Sequence, residues 1–153
     1  MREAKSTQFL MRSLLITALL AVGTAPSAQQ YETAARRYFE TWNAHDVTGM
    51  RPLFAATATL KDWDLEKSGA DEIVKANSAI FAAEPKIRID VVTIHLSETT
   101  RTAVCEILVR LNNEKMKAMN VVKVLTFDEA GKIAAVRAYK GATSMMGKDV
   151  LSY

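Results

Sequence analysis

The chain has 153 residues, 49% of them hydrophobic, with 20 basic and 17 acidic groups and a formal net charge of +3. That length suits one domain with a sizeable core and leaves no room for two. Residues 1–28 hold Arg2, Lys5 and Arg12 against Glu3, so the remainder has 17 basic and 16 acidic groups; a net charge of +1 argues against an electrostatic nucleic-acid binder.

Positions 1–28 begin basic, continue through the apolar run 14–22 and end in small residues, the three-part layout of a secretory signal peptide. The run is too short to span a bilayer, so no stable membrane span is expected. The expectation is a secreted or periplasmic protein, with Met11 as an alternative start and a cytoplasmic chain if the leader is an artefact. Cleavage near Ser27 or Ala28 is weakly specified, because Pro26 fits an A-x-A site poorly. The mature part is then a single domain over 29–153.

Apolar residues at Tyr31, Ala34, Ala35, Tyr38, Phe39 and Trp42 keep the three-and-four spacing of one helical face, which predicts a helix over 30–43 with Tyr38 turned inward. Asp46 is expected to cap a short second helix that Pro52 limits to a turn or two. His45 lies in a polar connection without a second ligand nearby and reads as solvated surface. Residues 58–63 alternate like a strand, putting Ala58, Leu60 and Asp62 on one face and Thr59, Lys61 and Trp63 on the other. A carboxylate on a core face is costly unless paired, hydrogen-bonded or partly wet, which makes Asp62 a candidate proton carrier. The alternative puts Asp62 at the open strand end, topping a turn with Asp64.

After a polar loop over 64–68, a third helix buries Ile73, Ala76, Ile80 and Phe81 and ends at Glu84-Pro85. Asn77 neighbours that stripe, either facing the pocket or satisfied by a structural hydrogen bond. From Lys86 the period changes to two. Runs over 87–96, 102–111, 117–127 and 132–140, separated by turn-rich breaks, predict an antiparallel meander and an α+β fold with helices on one face of the sheet. Cys105 shares a face with Ala103, Ile107, Val109 and Leu111 and reads as a packed, inert thiol. Glu106 and Arg110 alternate to the other side, His95 falls at a rim, and residues from 142 on lack a period and read as a loose tail.

Residues 37–62, RYFETWNAHDVTGMRPLFAATATLKD, resemble the start of the ketosteroid isomerase and SnoaL-like families of the nuclear transport factor 2 superfamily. The similarity resumes at Ser68-Gly69 and returns in FDEAGKIAAVRAYKG. The resemblance implies a cone-shaped, curved antiparallel sheet wrapped around three N-terminal helices and enclosing a pocket. It implies a homodimer paired through the open sheet face, for which Val122 and Val124 offer weak support. It also implies Asp62 as general base, Tyr38 as hydrogen-bond donor, and a third catalytic position at Lys123, where the isomerases carry an aspartic acid. The implied ligand contacts are Leu60, Trp63, Asn77, Val121, Val136, Ala138 and Lys140. Lys123 shares a face with Val121, Leu125 and Phe127 and brings an ammonium towards Asp62, which argues against steroid isomerisation. It serves either as a cationic donor to an enolate oxygen or as a packed stem that snorkels to the cone mouth.

No metal-ligand spacing, phosphate loop or nucleophile elbow is present, and the resemblance implies no cofactor. Two readings follow. One is a SnoaL-like pocket protein for a small hydrophobic or carbonyl-bearing ligand, acting as an isomerase or lyase on a small carbonyl compound. The other is an exported, non-catalytic ligand-binding or dimerisation module of the same fold.

Overall fold

The structure, a computed structural model, describes residues 26–111 and 118–141. The expected leader up to residue 25, the turn after Leu111 and the tail from residue 142 lie outside the described residues. The described chain forms helices α1 (Ala28–Asn43), α2 (Val47–Met50) and α3 (Ala70–Ala83), with a 3-10 turn (Arg51–Leu53) after α2. Its strands are β1 (Phe54–Lys61), β2 (Glu66–Ser68), β3 (Arg88–Ser97), β4 (Thr102–Arg110), β5 (Ala118–Phe127) and β6 (Ile133–Lys140).

Helix α1 begins where Ser27 and Gln30 satisfy each other. The Ser27 hydroxyl accepts from the Gln30 N–H, and the Gln30 side-chain oxygen accepts from the Ser27 N–H at 2.7 Å. Its inner stripe, Tyr31, Ala35, Tyr38, Phe39 and Trp42, is buried as the spacing predicts. Tyr31 stacks on Phe127 with ring centroids 5.1 Å apart, and Tyr38 meets Phe54 edge-on at 6.0 Å, so α1 lies in the hollow of the sheet.

The strands run in the order β2-β1-β6-β5-β4-β3 in a single sheet. Strands β3 to β6 form the expected antiparallel meander, but β1 pairs parallel with β6, so the sheet is mixed and not wholly antiparallel. The long excursion through α3 and four strands separates β1 from β6, and period-two alternation reads the same whichever way a strand runs. Residues 66–68, expected in a loop, form β2 against the end of β1, Lys61 opposite Glu66 and Thr59 opposite Ser68. Three residues are too few to show a period. Register shifts at Phe54/Thr59, Val91/Thr93 and Thr126/Phe127 mark irregular points that bend the sheet around the helices.

Asn43 fastens the end of α1 to the edge strand β3. Its side-chain oxygen accepts from the Ile89 N–H at 2.7 Å and its amide donates to the Ile89 carbonyl at 2.8 Å, a substitute for the strand partner that an edge lacks. Asn43→Ala leaves both backbone groups unpaired and is expected to cost about 1–3 kcal/mol in chemical denaturation.

His45, expected on the solvated surface, is half-buried at φ 55°. Its ring stacks on Phe81 with centroids 4.3 Å apart, and Nε2 lies 3.1 Å from the Ile87 carbonyl oxygen. The left-handed turn carries the ring back onto the core, which the polar flanks of its sequence conceal.

Candidate functional site

Between α1, α3 and the concave face of the sheet lies a cavity of about 200 Å³. Trp42 and Asn77 come from the helices, Leu60 from β1, Ile87 and Ile89 from the approach to and start of β3, Val109 from β4, Val121 and Lys123 from β5, and Val136 and Ala138 from β6. Asp62, Trp63, Leu65, Ile80, Glu84, Leu111 and Met119 complete the lining and are more exposed than the buried inner wall. The wall is therefore apolar, with ionisable side chains at Asp62, Glu84 and Lys123.

Lys123 owes its place to the alternation of β5, which sends Val121, Lys123 and Leu125 to the concave face. Its ammonium donates to the Tyr38 hydroxyl at 3.2 Å and sits 5.4 Å from the centroid of the Tyr38 ring and 5.7 Å from that of Trp42. Two aromatic faces and a phenol oxygen thus hold the cation inside an apolar hollow. One of its three N–H donors is used by Tyr38, which leaves capacity for a second acceptor in the cavity.

Tyr38 is fully buried and does not itself line the cavity; it stands behind Lys123 and positions it. Asp62 follows the last residue of β1, half-buried, and bonds through both its carboxylate and its backbone. One oxygen accepts from the Asp64 N–H at 2.9 Å, while the Asp62 N–H donates to the Leu65 carbonyl at 2.8 Å, closing a turn. The residue nonetheless lines the cavity, so the turn and the cavity readings hold together. Among the described residues no ion pair within 4 Å joins Asp62 to Lys123.

Asn77 is buried with its amide satisfied on both sides: its oxygen accepts from Trp42 Nε1 at 3.0 Å and its nitrogen donates to the Ile73 carbonyl at 2.9 Å. That network fixes the indole that flanks Lys123. Leu60, Val121, Val136 and Ala138 line the cavity, and so does Trp63, which alternation put on the opposite face from Leu60 and Asp62; β1 ends at Lys61, so that alternation does not extend to Trp63. Lys140 does not line the cavity. Its ammonium sits 5.4 Å from the centroid of the Trp63 ring, in an adjoining groove left where β1 ends. Sequence reasoning missed Trp42, Ile87, Ile89 and Val109 as wall residues; Trp42 and Val109 belong to faces it had read as packed, while no face had been read for the run that holds Ile87 and Ile89.

Outside the cavity, Cys105 is fully buried beneath β4, and burial pushes its thiol up to about 11 against the weaker pull of the Lys123 and Arg36 charges. The unfolded chain releases this proton near 9 and the folded chain near 11, so between those values the folded state holds more protons. Stability is therefore expected to fall with rising pH across that window, by about 1.4 kcal/mol per pH unit from this group. Chemical denaturation of the protein and of Cys105→Ala between pH 8 and pH 11 checks it, the variant losing this slope. Glu106 and Arg110 are exposed on the convex face, Glu106 3.6 Å from His95 and Arg110 paired with Asp90. Among the described residues no cluster of three His, Cys, Asp or Glu is placed to hold a metal ion, and no helix is long and apolar enough to cross a membrane.

The model of the SnoaL-like domain matches residues 35–136, from α1 to the β6 segment that faces the cavity. Three solved structures share the fold. A protein of unknown function with a cystatin-like fold from Methylobium petroleophilum PM1 has a TM-score of 0.70 at 19% identity, covering 81% of this chain and 84% of that one. A SnoaL-like protein of unknown function from Burkholderia thailandensis E264 has a TM-score of 0.65 at 10% identity, over 76% of this chain and 99% of that one. A nuclear transport factor 2-like protein of unknown function from Cytophaga hutchinsonii ATCC 33406 has a TM-score of 0.62 at 9% identity, over 72% and 89%. No curated protein matches the sequence. With the family match spanning both strands that bracket Asp62 and the helix that carries Tyr38, the chain belongs to the SnoaL-like domain family.

Proposed function

We propose that the cavity binds a small carbonyl compound and that Asp62 moves a proton on the carbon beside the carbonyl. One observation carries the reading: the Lys123 ammonium is held against the Tyr38 hydroxyl inside an apolar cavity that Asp62 also lines. As the base takes the proton, negative charge gathers on the carbonyl oxygen, and a fixed cation in a low-dielectric pocket stabilises that oxygen more than water would. Returning the proton to the same or a neighbouring carbon gives exchange or isomerisation; loss of a leaving group gives elimination. The residues named supply the base and the cation, so the reading invokes no cofactor.

A second reading, a binding protein without turnover, is favoured by the commitment of one Asp62 oxygen to the Asp64 N–H. Incubating a panel of small ketones with the protein in deuterium oxide separates the two. Loss of the carbon-bound proton signal faster than with heat-unfolded protein supports the enzyme, and ketones that bind without any exchange leave the binding module. The leader-like residues 1–28 support export of the mature chain. The outer sheet face, where Val92 is 65% and Val122 37% exposed, supports a second copy as partner, which sedimentation would read as a dimer mass.

A further inference from the structure

Strands β1 and β6 lie side by side as far as the pair Lys61 and Arg137. There β1 ends, while β6 runs on to Lys140 paired only with β5 on its other edge. The free edge of Ala138, Tyr139 and Lys140 faces the Asp62–Leu65 turn across a notch of about 320 Å³. Asp62, Trp63 and Ala138 line both this notch and the cavity, so the two spaces meet at those three residues.

The notch carries three cations of unequal availability. Lys61 lies 3.7 Å from Glu66, which compensates it. Arg137 is exposed and has no hydrogen bond or ion pair among the described residues, and Lys140 rests over Trp63 with its ammonium facing solvent on the other side. Trp63 and Tyr139, 37% and 56% exposed, add apolar ring surface between them. Asp62 at the neck repels an anion, so a charged group is held at the outer end and the uncharged end of a ligand goes in first.

We propose that this notch is the entrance to the cavity and that it selects amphipathic organic acids, with a carboxylate held by Arg137 and Lys140 and an apolar, carbonyl-bearing end reaching past Asp62 towards Lys123. The inference rests on reading the cavity as a ligand site and adds the substrate class to it. Guanidinium and ammonium groups with open donors suit a carboxylate. The rings of Trp63 and Tyr139 cover the segment between the two ends.

The test uses a matched pair of probes, 2-naphthylacetate and its neutral amide, titrated calorimetrically into the protein and into the double variant Arg137→Gln, Lys140→Gln. These two side chains are exposed, so the variant keeps the fold. The acid is expected to bind roughly ten- to a hundredfold tighter than the amide, and the double variant to remove that preference while leaving the amide unchanged. Raising the salt from 0.1 M to 1 M, which shortens the screening length from about 10 Å to about 3 Å, is expected to weaken the acid alone. Equal affinity of acid and amide in the unaltered protein overturns the notch as an anion reader and leaves the cavity reading standing. So does a preference that survives in the variant, which puts the carboxylate on Lys123 instead. If neither probe binds, this inference falls, while ketone exchange in deuterium oxide still decides the cavity reading.

Discussion

Replacing Asp62 by Asn is expected to slow proton exchange on a responsive ketone by about 10²- to 10⁴-fold, the usual contribution of a positioned general base. The amide keeps the size of the carboxylate and retains an oxygen that can accept from the Asp64 N–H, so the turn at the end of β1 survives and thermal stability should stay close to that of the parent. What is lost is the ability to take a proton. Measuring exchange and the melting transition on the same sample separates the two effects, because a drop in rate with an unchanged transition cannot come from unfolding. Exchange at the parental rate would move the base elsewhere, and Glu84, the other acid on the cavity lining, is the first place to look.

Lys123→Met tests the opposite pole of the site. Methionine matches the length of the lysine stem and packs against Tyr38 and Trp42, so the substitution removes a cation from an apolar hollow without opening a void. The buried Tyr38 hydroxyl loses its partner, a cost of about 1–3 kcal/mol that removing a buried cation partly offsets, so the protein should remain folded with at most a modest loss of stability. Turnover, in contrast, should fall by about 10²- to 10³-fold, the range seen when a single donor to a developing oxyanion is removed. The loss should appear in kcat more than in KM, since the oxygen carries more charge in the transition state than in the bound ketone. Tyr38→Phe leaves the ammonium in place but unfastened and should fall between the parent and Lys123→Met. A Lys123→Met protein with parental kcat would mean that the ammonium is only a packed stem.

The layers of the fold were legible because their periods are long. Helix α1 shows six apolar residues at helical spacing, and β3 to β6 run over eight to ten residues each, so their existence could be read directly, as could the packed faces of α1 and β4. The parallel pairing of β1 with β6 had no such signature, since strand direction leaves alternation unchanged. The resemblance put Lys140 at the ligand with Val136 and Ala138, and the three do share parity along β6. For Lys140 that parity failed as a statement about the cavity, because alternation could not show that β1 stops at the pair with Arg137, three residues short of Lys140.

The site was legible in its polar residues and obscure in its walls. Asp62 and Lys123 stood out as ionisable groups on otherwise apolar faces, and both line the cavity. Val109 was predicted to share the packed face of Cys105, yet a side chain against a void and one against another side chain leave the same pattern in a sequence. Tyr38 was placed correctly as buried, but its task of holding Lys123 depends on a contact between residues 85 positions apart that alternation cannot reveal.

The central claim is that the ligand sits in the cavity beneath the sheet, and methyl-resolved NMR tests it most directly. With Ile, Leu and Val methyl groups labelled and 2-naphthylacetate added stepwise, the account predicts shifts at Leu60, Ile87, Ile89, Val109, Val121 and Val136, which wall the cavity. It predicts still signals at Val104, Val122 and Val124 on the convex face. Shifts confined to the convex-face valines, with the cavity methyls unmoved, would contradict it.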